Sequence, residues 1–533
     1  SEAPEAITSQ TGREAYAQIA GKTVFSAKQT VVELLQASGE LLGEIRKITH
    51  PVKFFEKGDR PLEIVSTRQW YIKNSAHDPA LRERLLAHGR ELQWHPEFMR
   101  VRYENWVEGL SGDWLISRQR FFGVPIPVWY PLDADGNPQF DAPILPTEDQ
   151  LPIDPSSDLP AGFDEAQRGE PGGFIGEVDV MDTWATSSLT PQLAGGWGRD
   201  PELFDLVYPF SLRPQGQDII RTWLFSTLLR SELEEGQLPW QHAGISGWIL
   251  DPDRKKMSKS KGNVVTPAGM LEQHGSDAVR YWAASAKLGT DAAFDPQNPT
   301  QIKIGRRLAI KLLNAAKFTL GFDASSVGKV TEPLDRSMLG GLAAVVAEAT
   351  RAFEAYDHAR ALEVTESYFW TFCDDYLELV KERAHGGVGQ AQASAVTALR
   401  AALSIFIRLF APVIPYATEE TWSWFNEGSV HTAAWPSVDE AVALAGPDAD
   451  PGLLPLVGQA LVGIRGAKTA AKASQKTPVE LAVVQARADE ADRIRLAADD
   501  RAAVGRIDGL RVEAAETTTV SVSAIRLGET PQA

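Results

Sequence analysis

The period of the apolar positions changes several times along the chain, and those changes divide it into regions. Residues 1–65 combine a helical spacing in "QTVVELLQASGELLGEI" with short extended pieces that a Gly-Asp-Arg-Pro turn closes. Residues 66–130 are rich in Trp and Arg. From 131 to 180 the run "PLDADGNPQFDAPILPTEDQLPIDPSSDLPAGFDE" is dominated by Pro, Gly and Asp, which predicts a loop-rich surface insertion. Through residue 300 short apolar runs then alternate with helical patterns. "LFDLVYPFSL" is followed by "DIIRTWLFSTLLRSEL", the strand-then-helix rhythm of a parallel α/β sheet, so 131–300 is one α/β region carrying that insertion. Residues 301–445 turn helical throughout and predict an all-α bundle, as in "SMLGGLAAVVAEATRAFEAY" and "AVTALRAALSIFIRLF". Residues 446–533 predict a small α+β region: one helix near "LLPLVGQALVGIRGAKTAAKA", then strands at "VELAVV" and "TTTVSVSAIRL".

Composition narrows the functions open to such a chain. Its 533 residues imply about three or four domains. A single cysteine, Cys373, excludes an internal disulfide framework and any Cys-rich zinc knuckle, and it points to a reducing, cytoplasmic setting. No apolar run approaches the ~18 residues that span a bilayer, so no membrane role is expected. The formal net charge of -18 argues against a uniformly cationic nucleic-acid coat and directs attention to local positive patches.

The densest such patch is Lys255 to Asn263, "KKMSKSKGN", which Arg254 precedes directly after the apolar run "GISGWIL" and the turn "DPD". A basic loop at a strand end is suited to holding polyphosphate, although a Lys-rich nonamer taken alone is more often a solvated surface. The order of residues decides between the two. "KMSKS" followed by "KGN" resembles the signature loop of the class I aminoacyl-tRNA synthetases. Other segments narrow the resemblance to the valine, isoleucine and leucine branch. "LSGDWLISRQRFFGVPIPVWY" is similar to the return from the editing insertion to the catalytic domain. "DTWATSSLTP", "GQDIIRTW", "LFAPVIPYATEETW" and "HTAAWP" resemble segments of the valyl family, from which Arg221, Thr222 and Ala185 depart. The similarity runs from about residue 30 to about 445.

The resemblance implies a fold, a reaction and a set of residues. The fold is the second half of a Rossmann-like nucleotide-binding domain, followed by an anticodon-binding bundle and the small C-terminal region, with residues 1–65 as the tail of the editing insertion. The reaction is ATP-dependent activation of valine and its transfer to tRNA(Val), with ATP and Mg2+ as cofactors, no protein-bound metal, and editing of misactivated threonine by the full-length enzyme; the alternatives are an isoleucyl enzyme and a synthetase-derived tRNA-binding protein without catalysis. Lys256 and Lys259 would neutralise pyrophosphate as it leaves, with Met257, Ser258 and Ser260 completing the ATP loop and Gly262 letting it close. Gly216 and Asp218, at a strand's carboxyl end, would take the ATP ribose or the amino-acid ammonium; spacing alone makes Asp218 a helix N-cap. Trp184, Ile219 and Trp223 would line the side-chain pocket, with Ile219 and Trp223 four apart on one helix face, a spacing that alone describes core. His242 and Gly247 would border the adenine.

Two expectations concern what lies beyond this loop. The nine histidines include no His-x-Gly-His, the first signature of the class, and the chain does not begin with methionine. The expectation is therefore a C-terminal portion whose partner is the missing N-terminal half of the catalytic domain. Arg465, Lys468, Lys472 and Lys476 recur at three- and four-residue spacing, which predicts a basic stripe on the tRNA backbone if the preceding helix reaches that far.

Overall fold

The structure is a computed structural model that describes residues 3–4, 6–54, 60–62, 67–258, 262–386, 388–474, 477–500, 506–517 and 519–528. It separates into two compact units, Ser1–Arg68 and Gln69–Ala533. The first contains helices Gln10–Ile19 and Val24–Ser38, each opened by a hydroxyl cap, from Ser9 and Thr23 respectively. The predicted helical run stops early. Gly39 at φ 74° takes the left-handed position that ends the second helix, so "ELLGEI" beyond it is not helical.

In the second unit three parallel strands, Gln93–His95, Trp240–Ser246 and Phe210–Gly216, lie side by side in that order. Helix Pro79–Glu91 precedes the first strand, and helix Phe225–Glu234 connects Phe210–Gly216 to Trp240–Ser246. Their shared core holds Leu85, Trp94, Tyr103, Leu224, Leu228, Trp240 and Ile245, all nearly inaccessible to solvent. The α/β expectation is met, and the sheet's carboxyl ends finish at Gly216 and Ser246.

The insertion expected at 131–180 is more ordered than its composition suggests. Trp129–Pro131 pairs antiparallel with Phe174–Gly176, and Phe174 is fully buried with the Arg168 guanidinium 5.0 Å from its ring centroid. Arg168 also donates to the carbonyls of Pro155 and Asp158. Turn-rich sequence here builds short strands because a few aromatic side chains supply a local core that composition does not reveal.

The helical region begins with Thr300–Leu320 and continues through Pro333–Glu354, His358–Thr371 and Gln390–Phe410 around one large aromatic and aliphatic core. Gln390–Phe410 is long and apolar enough to cross a membrane by length and composition, yet its apolar side chains, among them Phe406 and Phe410, are buried within the bundle. The C-terminal region contains both expected strands and one more. Val479–Ala486 lies between Leu510–Ala514, parallel to it, and Ser521–Leu527, antiparallel.

Candidate active site

The signature loop leaves the short strand Ile249–Leu250, which pairs with Ala292–Ala293, and returns through a bridge between Leu250 and Lys256. One acid and one amide hold it. The Asp251 carboxylate accepts from the Lys255 N–H (2.7 Å) and from Asn263 Nδ2 (2.7 Å). Asn263 also donates to the Lys256 carbonyl (3.2 Å), and its Oδ1 accepts from the Ser258 N–H (2.9 Å). The Lys255 amide, followed by the Asn263 amide, holds the Asp251 carboxyl below the usual carboxylate range. Met257 Sδ accepts from the Val265 N–H (3.3 Å), so this side chain is engaged in holding its own loop. Lys256 Nζ sits 4.5 Å from the centroid of the Trp248 ring. Gly262 has φ 66°, a conformation that favours glycine. Lys259 and Ser260 lie outside the described residues.

A second acid ties the loop's base to the sheet. Asp291 Oδ1 accepts from the Trp248 N–H (2.8 Å) and from Gln217 Nε2 (3.1 Å), which follows Gly216 at the strand end. Gly247 is required at this junction, because a Cβ there would stand 2.3 Å from the backbone of Thr290. Gly216, Gly247 and Lys256 are thereby brought to one end of the sheet. Two buried polar atoms at that end, Trp248 Nε1 and Gln215 Oε1, have no hydrogen-bond partner among the described residues, which fits a polar ligand bound beside the loop.

Several predicted site residues stand differently from their spacing. Asp218 is exposed in a 3-10 turn, Gln217–Ile219, and caps no helix. Ile219 has φ -105° and ψ 14°, outside the helix, and a π turn spans Ile220–Leu224 before the α-helix starts at Phe225. The four-residue relation of Ile219 to Trp223 on one α-helical face is therefore lost. Trp223 instead donates to the Ser187 carbonyl (3.0 Å), on the short helix that carries Trp184. Trp184 lines a cleft of 550 Å³ with Asp182, Arg118, Arg221 and Thr222, where Arg118 pairs with Asp182 at 3.3 Å. Neither Ile219 nor Trp223 lines that cleft.

His242 lies mid-strand, four residues short of the strand end at Ser246. Its Nδ1 is 3.0 Å from His95 Nε2, and both rings pack on Tyr356 of the helical region. This is a joint between sheet and bundle, which explains a histidine at this position without a ligand. Among the described residues no group of three or more His, Cys, Asp or Glu is poised to hold a metal.

The expected basic stripe is broken. Helix Leu453–Ala470 ends before Lys472, which has φ 53°, and Lys476 lies outside the described residues. Lys468 is buried on the same side as Leu461 and Ile464, and burial, then Arg506, pushes its ammonium below its ordinary range. Arg465 faces Asp375 at 3.8 Å and donates to the Asp374 carbonyl. Lys468 lies four residues after Ile464, whose face of the helix packs on Val479, Ala482 and Ile507 of the C-terminal region, and so it is turned inward.

Sequence reasoning missed Asp251, Asn263, Asp291 and Arg118. Asn263 stood inside the signature and Asp251 in the turn before it, but their pairing is a contact across the loop that no spacing displays.

A parallel sheet whose carboxyl end carries this loop, continuous with a helical bundle, is the architecture of one synthetase class. Residues 6–295, more than half of the chain, match the tRNA synthetases class I (I, L, M and V), and residues 335–483 match the anticodon-binding domain of tRNA ligase. The chain belongs to the class I tRNA synthetases. It is 70% identical over 535 residues to the valine--tRNA ligase of Leifsonia xyli subsp. xyli, covering 100% of this chain and 62% of that protein. It is 61% identical over 525 residues to the valine--tRNA ligase of Thermobifida fusca, covering 97% and 59%. The chain thus spans about three fifths of the length of the curated relatives it matches. Among solved structures, Mycobacterium tuberculosis methionyl-tRNA synthetase in complex with methionyl-adenylate shares the fold, with 20% identity, a TM-score of 0.50 and coverage of 75% of this chain and 70% of that one.

Proposed function

We propose that the chain is part of a valine--tRNA ligase that activates valine with ATP and transfers it to tRNA(Val). The observation that carries this reading is the signature loop, pinned by Asp251 and Asn263 at the sheet's carboxyl end with Lys256 beside it. The high identity to proteins named valine--tRNA ligase supports valine as the amino acid.

In activation the valine carboxylate attacks the α-phosphorus of ATP, a new C–O–P linkage forms, and the bond to pyrophosphate breaks. No protein nucleophile is needed. The protein's task is to orient the reactants and neutralise the charge moving onto pyrophosphate. Lys256, with Lys259, serves that purpose, and a loop pinned on one side and hinged at Gly262 can tighten as charge develops. The bare strand end at Gly216 admits close approach of the nucleotide. Mg2+ is expected to accompany ATP. Threonine, an isostere of valine with a hydroxyl, is expected to be removed by editing in the full-length protein. The setting is cytoplasmic, in keeping with a lone cysteine, Cys373, that is buried.

The test is ATP–pyrophosphate exchange by the full-length protein with valine, isoleucine and threonine. Exchange is expected to be fastest with valine and to fall sharply in Lys256→Ala. Faster exchange with isoleucine would overturn the amino-acid assignment, and no exchange with any of the three would overturn the reaction.

A further inference from the structure

The class I match ends at residue 295 and the anticodon-binding match begins at 335, yet side chains of the first part reach deep into the second. Helix Ser276–Ala284, which only helix Ala268–His274 separates from the signature loop, meets the corner where helix Gln390–Phe410 gives way to helix Pro415–Ser423. Helix Pro415–Ser423 has no cap of its own, because the residue before it is Ile414. The Asp277 carboxylate takes that place from 139 residues away in sequence. Its Oδ1 accepts from the Tyr416 N–H (3.1 Å) and its Oδ2 from the Ala417 N–H (2.7 Å).

Arg280, on the next turn, completes the clasp. It donates through Nη2 to the Pro412 carbonyl (2.9 Å) and through Nε to the Val413 carbonyl (3.3 Å). A carboxylate thus faces the open amides of the corner and a guanidinium its open carbonyls, the pairing that charge favours at helix ends. Tyr281, on the same helix, donates to the Glu366 carboxylate (2.5 Å) on helix His358–Thr371. Burial raises the Asp277 carboxyl above its ordinary range, while the two amides, Arg280 and Arg306 act the other way. A first turn of the bundle is therefore completed only when the two parts stand at one particular angle.

We propose that Asp277 and Arg280 are positioning residues for transfer of the amino acid to tRNA: they fix the angle between the anticodon-binding part and the sheet that carries the signature loop. The inference rests on the proposed function for its substrate, while the clasp is read from its own contacts. A tRNA held by one part must present its end to the other, and two contacts on one rigid ligand reinforce each other only at a matching angle. With the clasp that angle is set before the tRNA arrives; without it, binding has to set it, and the loss falls on the KM for tRNA. Activation takes place at the sheet's carboxyl end and does not sense the angle.

The experiment compares aminoacylation of tRNA(Val) with valine-dependent ATP–pyrophosphate exchange in the full-length protein and in Asp277→Ala/Arg280→Ala. The double variant is expected to lose about 10-fold in kcat/KM for tRNA(Val), mostly through KM, with exchange within about twofold of wild type. Asp277→Asn, which keeps a carbonyl acceptor for the amides, should recover most of what Asp277→Ala loses. A second readout is independent of the reaction. Spin labels at Glu234→Cys and Glu382→Cys, both exposed and in different parts, should give a narrow distance distribution that broadens when the clasp is removed. Unchanged aminoacylation with an unchanged distribution overturns the proposal, and so does an equal fall in exchange and aminoacylation. Should the double variant fail to fold, Arg280→Gln, on an exposed side chain, decides by whether aminoacylation falls more than exchange. Wild-type protein with neither activity would refute the proposed reaction, and the distance distribution would then decide the clasp by itself.

Discussion

Replacing Asn263 by alanine isolates what the loop clamp contributes. The side chain makes three hydrogen bonds, to the Ser258 N–H, the Asp251 carboxylate and the Lys256 carbonyl, at 2.9, 2.7 and 3.2 Å. At a net ~0.5–1.5 kcal/mol each, and with the longest discounted, their loss costs the ordered loop about 2 kcal/mol, or roughly 30-fold in its population. The loop is a surface excursion, so global unfolding should be little affected. The expected result in the full-length protein is a kcat/KM for ATP in valine-dependent exchange about 30-fold lower, with an unchanged thermal midpoint. Asn263→Asp sharpens the test. It keeps the acceptor for Ser258 but sets a carboxylate against Asp251, so near neutral pH it should be more damaging than alanine despite its equal size. As pH falls toward ~5 the two carboxyls can share a proton, and the variant should partly recover while the alanine variant does not. In the wild-type protein the sign is opposite. The Asp251 carboxyl is depressed by its two amide donors, so its contribution is present above the ordinary carboxyl range and is lost as pH falls through the depressed value. Wild-type exchange in both variants would refute the clamp.

Three further outcomes follow from the packing. Gly247→Ala brings a Cβ to 2.3 Å from the Thr290 backbone and should destabilise by about 1–3 kcal/mol or more in chemical denaturation, with exchange impaired because the loop base moves. Arg383→Met removes the partner of Asp335, a fully buried carboxylate that also accepts from Tyr376 and Ser394, and should cost about 3–5 kcal/mol in the same assay. Burial, and then His242, lowers the His95 pKa from its ordinary 6.5; the unfolded chain takes up the proton first, so stability should decline as pH drops below about 6.5, and His95→Gln should flatten that decline in melts across pH.

Much of this protein was written in local pattern. The alternation of apolar runs and helical spacing displayed the α/β region, the bundle and two of the three C-terminal strands, because period is a property of neighbours in sequence. The signature loop was legible for the same reason, as nine consecutive residues. What spacing could not decide was which face of an element turns inward and which distant groups meet. Lys468 fell on the buried side of its helix although its period matched an exposed stripe, while the cations of Thr300–Leu320 were left outside by the bundle's choice of Leu308 and Leu312 as core. His242 was committed to His95, 147 residues away, and to Tyr356 beyond it. The pairing of Asp291 with both Gln217 and Trp248, across 74 and 43 residues, exists only once the parallel strands are side by side. Sequence determined the elements and the chemistry available to them; long-range burial decided which side chains were spent on packing and which remained free to meet a ligand, because only the folded chain brings separated residues within hydrogen-bond reach.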